Sequence, residues 1–279
     1  MINESGYFEG RENKKLFYQY WLPDSEEIRA YLIAIHGWGT HSNRMKVPAE
    51  FFTKEKGYAI YSFDLRGHYR NADIQGHIDS IDHIQKDLVL FMDLLKKEAE
   101  NKKVFVMGHS FGGLVSLIYA INHPGLDGVI VSSPQLGLTI KSSISKKMLK
   151  KVAGAISKPT KSVPFIIDQN QLTSDLKILR EHIADDKKLE IITLKSLAEM
   201  ESSMKWTMES AVNLLCPVLI LQAGNDNIVD KTKTQEFYKN IKSHDKIYRE
   251  YDGFLHELWN EKSRALVYRD MYVWLEKHL

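Results

Sequence analysis

Runs of apolar residues alternate with amphipathic stretches along most of this chain. Apolar side chains fill both faces of five short segments, at residues 31–35, 58–63, 104–107, 128–131 and 217–222. Stretches with helical spacing of apolar residues, such as 84–99, separate several of them. Strands that are apolar on both faces are typical of a parallel sheet covered by helices on each side. The pattern therefore predicts a doubly wound, mostly parallel α/β sheet.

Two further segments have the pattern of strands at the margins of this sheet. Residues 15–21 alternate between apolar and polar side chains and stop at Pro23 and Asp24, which indicates an edge strand that ends in a turn. Residues 247–251 form a short strand near the other end of the chain. Both complete the predicted sheet.

The alternation of strands and helices stops between Pro134 and about Trp206. A lysine-rich stretch with helical spacing takes its place before the next strand. We interpret this stretch as a helical cap inserted into the sheet domain. The predicted organisation is a core of residues 1–133 and 207–279 and a cap of residues 134–206.

Composition favours one compact domain and excludes several classes of function. Of the 279 residues, 43% are hydrophobic and 27% are charged, which is enough for a large core. The formal net charge is only +2, so no overall positive field favours nucleic acid. The histidines form no HExxH motif and no cluster with cysteine. We therefore expect no metal site.

The chain also has no pattern of export or membrane insertion. Residues 1–6 lack a basic region followed by an apolar run, and no later stretch approaches about 18 apolar residues. Cys216 is the single cysteine, which suits a reducing cytoplasm. Because Cys216 precedes Pro217 and an apolar strand, we expect it to pack in the core. The sequence thus predicts a cytoplasmic protein.

The most specific chemical motif is Gly108-His109-Ser110-Phe111-Gly112. It follows an apolar strand and precedes a helical stretch, which is the setting of a nucleophile elbow. Glycines at both ends let the turn pass close to neighbouring backbone. Ser110 is therefore the predicted nucleophile. His109 is expected to point elsewhere on the elbow and to support the pocket rather than act as the base.

A serine hydroxyl needs a base within hydrogen-bond reach, and that base needs an orienting acid. Asp226 lies in the turn after the fifth apolar strand, and His256 lies in the loop after the last strand. Asp230 competes with Asp226 for the acid position. We predict a catalytic triad of Ser110, Asp226 and His256, each just past the end of a strand.

Acyl transfer also needs hydrogen-bond donors for the oxyanion of the tetrahedral intermediate. One predicted donor is the backbone N–H of Phe111, which follows the nucleophile. The loop after the first apolar strand is His36-Gly37-Trp38-Gly39-Thr40, and its glycines let it turn close to Ser110. The second predicted donor is the N–H of Trp38. We expect the Trp38 indole and His109 to contact the substrate.

Residues 36–44, with the sequence HGWGTHSNR, resemble the HGxGxHSxRY segment of one branch of the α/β-hydrolase family. This branch contains monoacylglycerol lipases and lysophospholipases with a serine aminopeptidase-type hydrolase domain. Met45 stands where the family usually has an aromatic residue. Similar segments cover nearly the whole chain, at residues 64–68, 76–80, 108–112, 172–175, 224–229 and 253–258. The likeness departs at Tyr69-Arg70 and holds only at isolated positions of the cap.

The resemblance implies the α/β-hydrolase fold, with an eight-stranded sheet and a cap inserted after strand 6. It implies the same roles for Ser110, Asp226, His256, Trp38 and Phe111, and no cofactor. The expected substrate is a carboxylic ester of a lipid with one acyl chain, a monoacylglycerol or a lysophospholipid. The same machinery also serves small-ester carboxylesterases and peptidase-like amide hydrolases. A non-catalytic binding protein on this scaffold would be expected to lack a triad residue.

Residues 140–161 contain seven lysines and no acidic residue. Apolar residues recur there at helical spacing, as at Ile144, Met148 and Val152, so a basic amphipathic helix is expected. Such a helix contacts anionic lipid, where each lysine adds about 1 kcal/mol. The alternative is a helix packed on the core with a solvated lysine face. Peripheral membrane contact is thus one of two expectations, and the sequence specifies no oligomeric state.

Overall fold

A computed structural model describes residues 1–25, 27–139 and 157–279, and its main element is an eight-stranded sheet. The strands of the described chain are β1 (Ile2–Glu9), β2 (Lys15–Leu22), β3 (Tyr31–Ile35), β4 (Ala59–Phe63), β5 (Val104–His109), β6 (Val129–Ser132), β7 (Ser162–Pro164), β8 (Ile191–Thr193), β9 (Val218–Ala223) and β10 (Lys246–Tyr251). The order in the main sheet is β1-β2-β4-β3-β5-β6-β9-β10. Among the described strand pairs of this main sheet, only β1–β2 and β2–β4 are antiparallel. The predicted mostly parallel eight-stranded sheet is confirmed.

Helices cover both faces of the sheet. In the described chain they are α1 (Lys46–Lys56), α2 (Ile81–Ala99), α3 (Phe111–Asn122), α4 (Leu176–Ala184), α5 (Leu194–Glu209), α6 (Lys231–Asn240) and α7 (Ala265–Lys277). Alternate residues of β5 belong to different layers of the core: Val104 and Val106 pack on the side of α2 and α3, and Phe105 and Met107 on the side of α1 and α7. Burial on both faces explains why these strands are continuous apolar runs.

The predicted edge position of residues 15–21 is wrong. The strand itself is present as β2, but β1 pairs with it along its whole length, from Ile2 opposite Leu22 to Glu9 opposite Lys15. Of the β1 side chains, only that of Phe8 is buried. A strand so exposed needs no hydrophobic pattern, so the sequence did not predict it. Backbone hydrogen bonds to β2 hold it in the sheet.

The described residues between β6 and β9 lie outside the main sheet, and Leu189 among them donates a backbone hydrogen bond to Gly39 in the loop after β3. This stretch contains α4 and α5, and in addition a small antiparallel sheet of β7 and β8 that the sequence pattern did not predict. The division into core and cap at residues 134 and 206 stays a prediction. Most of the expected basic helix, residues 140–156, lies outside the described residues.

Cys216 packs in the core, as predicted. Its side chain is buried, and burial raises the pKa of the thiol to about 12. In the described ranges, no helix has the combination of length and apolarity that a membrane crossing requires.

Candidate active site

Ser110 occupies the turn between β5 and α3 with φ 53° and ψ −118°, a conformation that side chains rarely adopt. The turn is closed so tightly that a Cβ at Gly108 would collide with the carbonyl oxygen of Gly112 and with Ser116 Oγ. A Cβ at Gly112 would collide with the carbonyl oxygen of Ile35. The two glycines of the motif thus permit the turn that exposes Ser110 to a pocket.

Asp226 and His256 come together at the ends of neighbouring strands. His256 Nδ1 lies 2.8 Å from Asp226 Oδ2. The other carboxylate oxygen, Oδ1, accepts hydrogen bonds from the N–H groups of Ile228 at 2.9 Å and Val229 at 3.0 Å. Burial raises the pKa of the Asp226 carboxyl, but the charge and hydrogen bond of His256 and the two N–H groups outweigh it, and the pKa lies below its ordinary value.

Asp230, the competing candidate, has a different position. It is the N-cap residue of α6, where its Oδ1 accepts from Thr232 N–H at 2.9 Å and from Thr232 Oγ1 at 2.7 Å. Such a hydrogen bond satisfies one of the free N–H groups at a helix start. The structure therefore brings Asp226, and not Asp230, to His256.

Ser110 and His256 line one pocket together with Trp38 and His109. In the described chain no hydrogen bond joins Ser110 Oγ to His256; such contacts are often long in enzymes without substrate. The ring of His109 lies 4.7 Å from that of His256, and its Nδ1 is 3.1 Å from the carbonyl oxygen of Ser132. Burial and the neighbouring His256 lower the pKa of His109 to about 4. His109 is therefore a neutral wall of the pocket at neutral pH.

The two predicted oxyanion donors belong to segments that meet beside Ser110. Gly37 is so close to the elbow that a Cβ on it would be 3.5 Å from Ser110 Cβ. In the described chain neither Trp38 N–H nor Phe111 N–H donates to another protein group. Free N–H groups are expected at Phe111 because it begins α3. The Trp38 indole is buried and meets the Phe111 ring edge-on, with the ring centroids 5.4 Å apart.

Sequence reasoning missed a group of charged side chains around this pocket, among them Arg44 and Glu257. Glu257 is buried, and Asn260 Nδ2 donates to it at 2.7 Å. Burial raises the pKa of Glu257, but the nearby His182, Arg44 and His109 outweigh that effect and lower it to about 2. The only local signal was its position next to His256. Nowhere in the described ranges do three His, Cys, Asp or Glu side chains converge as a metal site requires.

Known proteins match this chain over almost its full length. Phospholipase YtpA of Bacillus subtilis is 29% identical to it over 272 residues, covering 93% of this chain and 100% of that protein. The monoacylglycerol lipase of Mycolicibacterium smegmatis is 24% identical, covering 98% of this chain and 96% of that protein. A crystal structure of a soluble variant of monoglyceride lipase from Saccharomyces cerevisiae, in complex with a substrate analog, matches with a TM-score of 0.90 at 24% identity, covering 100% of this chain and 96% of that one.

The fold of that lipase is therefore the fold of this chain, and the predicted α/β-hydrolase architecture is confirmed. A family model described as serine aminopeptidase, S33, matches residues 26–263, which is most of the sequence. The chain belongs to the serine aminopeptidase S33 family of α/β-hydrolases.

Proposed function

We propose that this protein is a serine hydrolase that cleaves carboxylic esters of lipids with a single acyl chain. The observation that carries the proposal is the His256–Asp226 hydrogen bond of 2.8 Å in the pocket that contains the strained Ser110. A buried, ionised carboxylate beside a histidine orients the ring and stabilises its protonated form during the reaction. Membership of a hydrolase family and the names of the relatives support the same activity.

In the proposed mechanism, the hydrogen bond to Asp226 keeps the His256 proton on Nδ1, so that Nε2 is free to accept a proton. Nε2 takes the proton of Ser110 as Oγ attacks the ester carbonyl. The N–H groups of Trp38 and Phe111 then hold the oxyanion. His256 gives its proton to the leaving alcohol, which departs and leaves an acyl-enzyme. A water molecule deprotonated by His256 releases the fatty acid and restores Ser110.

The lining of the pocket supports a substrate with an apolar chain and a polar head. The apolar lining side chains are those of Trp38, Met45, Ile167, Leu172, Leu189 and Trp259, and the charged ones are those of Arg44, Lys188, Glu190 and Glu257. One acyl chain linked to glycerol or a glycerophosphate has this division. A peptidase-like hydrolase is a second candidate function, because acidic side chains in a pocket bind a substrate amine. The same experiment tests both functions.

The test is a substrate panel with matched variants. Wild-type protein is assayed for kcat/KM on monoacylglycerols, lysophospholipids, p-nitrophenyl acetate and butyrate, and an aminoacyl p-nitroanilide. We expect long-chain single-acyl lipids to be the best substrates and Ser110→Ala and His256→Ala to lose activity while remaining folded. A Ser110→Ala variant with even a tenth of wild-type activity would exclude Ser110 as the nucleophile. Preference for the acetyl ester or the anilide would instead favour the alternative functions.

We also infer that residues 140–161 bring the enzyme to anionic lipid surfaces, where such substrates are found. The support is the sequence itself, seven lysines without an acidic residue in a chain of net charge +2. Sedimentation with liposomes tests this: we expect binding to vesicles with anionic lipid, and less binding when Lys146, Lys147, Lys150 and Lys151 are all changed to Gln. Equal binding to neutral vesicles would leave these lysines as solvated surface. The cytoplasmic location stays a prediction.

A further inference from the structure

Two residues of the segment 36–44, His41 and Arg44, take no part in the proton transfers of the proposed reaction. Both contact Asp185, which follows α4 in the stretch between β6 and β9. His41 Nε2 is 3.1 Å from Asp185 Oδ2, and Arg44 Nε and Nη2 are each 3.1 Å from the same oxygen. The three side chains are 6%, 10% and 12% exposed. A largely covered carboxylate thus joins two residues of the loop that carries Trp38.

The charges at this contact are compatible with a tight connection. Burial raises the pKa of Asp185, but the N–H of Lys187 and the nearby Arg44 and His41 outweigh it, and the carboxyl remains ionised at neutral pH. Burial lowers the pKa of His41 despite the neighbouring carboxylate, so the ring is neutral and donates from Nε2. Hydrogen bonds to a charged partner are among the stronger ones in proteins.

A second contact joins the same two segments through the backbone. Leu189 N–H donates to the carbonyl oxygen of Gly39 at 2.7 Å. Gly39 has φ +73°, and a Cβ on it would lie 2.7 Å from the carbonyl oxygen of Leu189, so the segments approach as closely as glycine allows. At its other end the loop touches the elbow through Gly37. Trp38, between these two glycines, is therefore held from both sides.

We propose that Asp185 is a positioning residue, which holds the loop 36–44 through His41 and Arg44 so that Trp38 N–H faces the oxyanion. The inference rests on the proposed function above. Removal of one oxyanion donor costs about 10²–10³ in kcat in serine hydrolases. Because the Leu189–Gly39 bond remains when the carboxylate is removed, we expect a partial loss, about tenfold in kcat.

Asp185→Ala tests the proposal, and Asp186→Ala is the matched control. Asp186 is the neighbouring carboxylate, is 85% exposed and pairs with Lys187. For each variant, kcat and KM on a p-nitrophenyl ester are measured together with the Tm and the active fraction titrated with a fluorophosphonate. We expect Asp185→Ala to lower kcat about tenfold per titrated site with a KM within about twofold, and Asp186→Ala to match wild type.

Asp185→Asn keeps acceptor capacity without the charge, so it should fold and should fall between Ala and wild type in kcat. Arg44→Ala should lower kcat, and adding Asp185→Ala to it should have little further effect, because the two act through one contact. Wild-type kcat per titrated site in Asp185→Ala would overturn the positioning role, and so would additive effects in the double variant. A wild-type protein that neither hydrolyses esters nor reacts with the fluorophosphonate would overturn the proposed function instead.

Discussion

The backbone of Ser110 predicts that, of two inactive variants, Ser110→Gly is more stable than Ser110→Ala. Residues held at φ 53° and ψ −118° are strained by about 1–3 kcal/mol, and glycine does not carry this strain. Glycine also raises the conformational entropy of the unfolded chain, which lowers the stability by about 0.5–1 kcal/mol. Ser110 is also the N-cap residue of α3, where glycine is preferred to alanine, and its side chain makes no capping hydrogen bond. Ser110→Gly should therefore be about 1 kcal/mol more stable than Ser110→Ala.

The comparison of the two variants isolates the backbone, because both lack the hydroxyl. Urea unfolding at neutral pH gives the difference in free energy of unfolding, and a difference of this size corresponds to about 2 °C in Tm for a chain of this length. Activity on a p-nitrophenyl ester should be absent in both. A Ser110→Ala variant as stable as Ser110→Gly, or more stable, would refute the argument that the elbow stores strain.

Other residues of the site give further expectations. Asp226→Asn should lower kcat by about 10³–10⁴, because the carboxylate that orients His256 is lost. Asp230→Ala should keep kcat and lose about 1 kcal/mol of stability, because only a helix cap is removed. Ester hydrolysis and urea unfolding of both variants test this, and the reverse pattern would make Asp230 the acid. Glu257 should stabilise the fold above pH 4.5, its ordinary pKa, and this contribution should disappear as the pH falls toward its folded pKa of about 2. The Tm of Glu257→Gln should therefore fall less between pH 4.5 and pH 2 than the Tm of wild type. An equal fall of Tm in the two proteins would contradict this expectation.

Much of the sheet and the candidate triad could be predicted because their signals are local. The strand before Ser110 is apolar on both faces, and Asp226 and His256 each follow a strand directly, so parallel topology alone brings them to one edge. The strand β1 had no such signal. Its side chains are mostly exposed, and it is ordered by its pairing with β2.

The contacts between the catalytic loops and the stretch between β6 and β9 could not be predicted from local sequence either, for a different reason. Asp185 lies more than a hundred positions from both His41 and Arg44 in sequence, and nothing around Asp185 distinguishes it from its exposed neighbour Asp186. The three-residue strands β7 and β8 are likewise too short and too far apart to leave a pattern. Only the folded chain identifies which of two adjacent aspartates is largely covered and bound to His41 and Arg44.

The bond from Leu189 N–H to the carbonyl oxygen of Gly39 has a consequence for how such enzymes diversify. This bond uses backbone atoms alone. Side-chain substitutions at Lys188 and Leu189, which line the pocket, can therefore reshape the pocket without removing the bond. A chimera that takes this segment from a relative should keep the oxyanion loop in place only if it preserves the backbone path past Gly39. In this chain, freedom to vary the substrate pocket and constraint on the reaction centre therefore coexist in the same few residues.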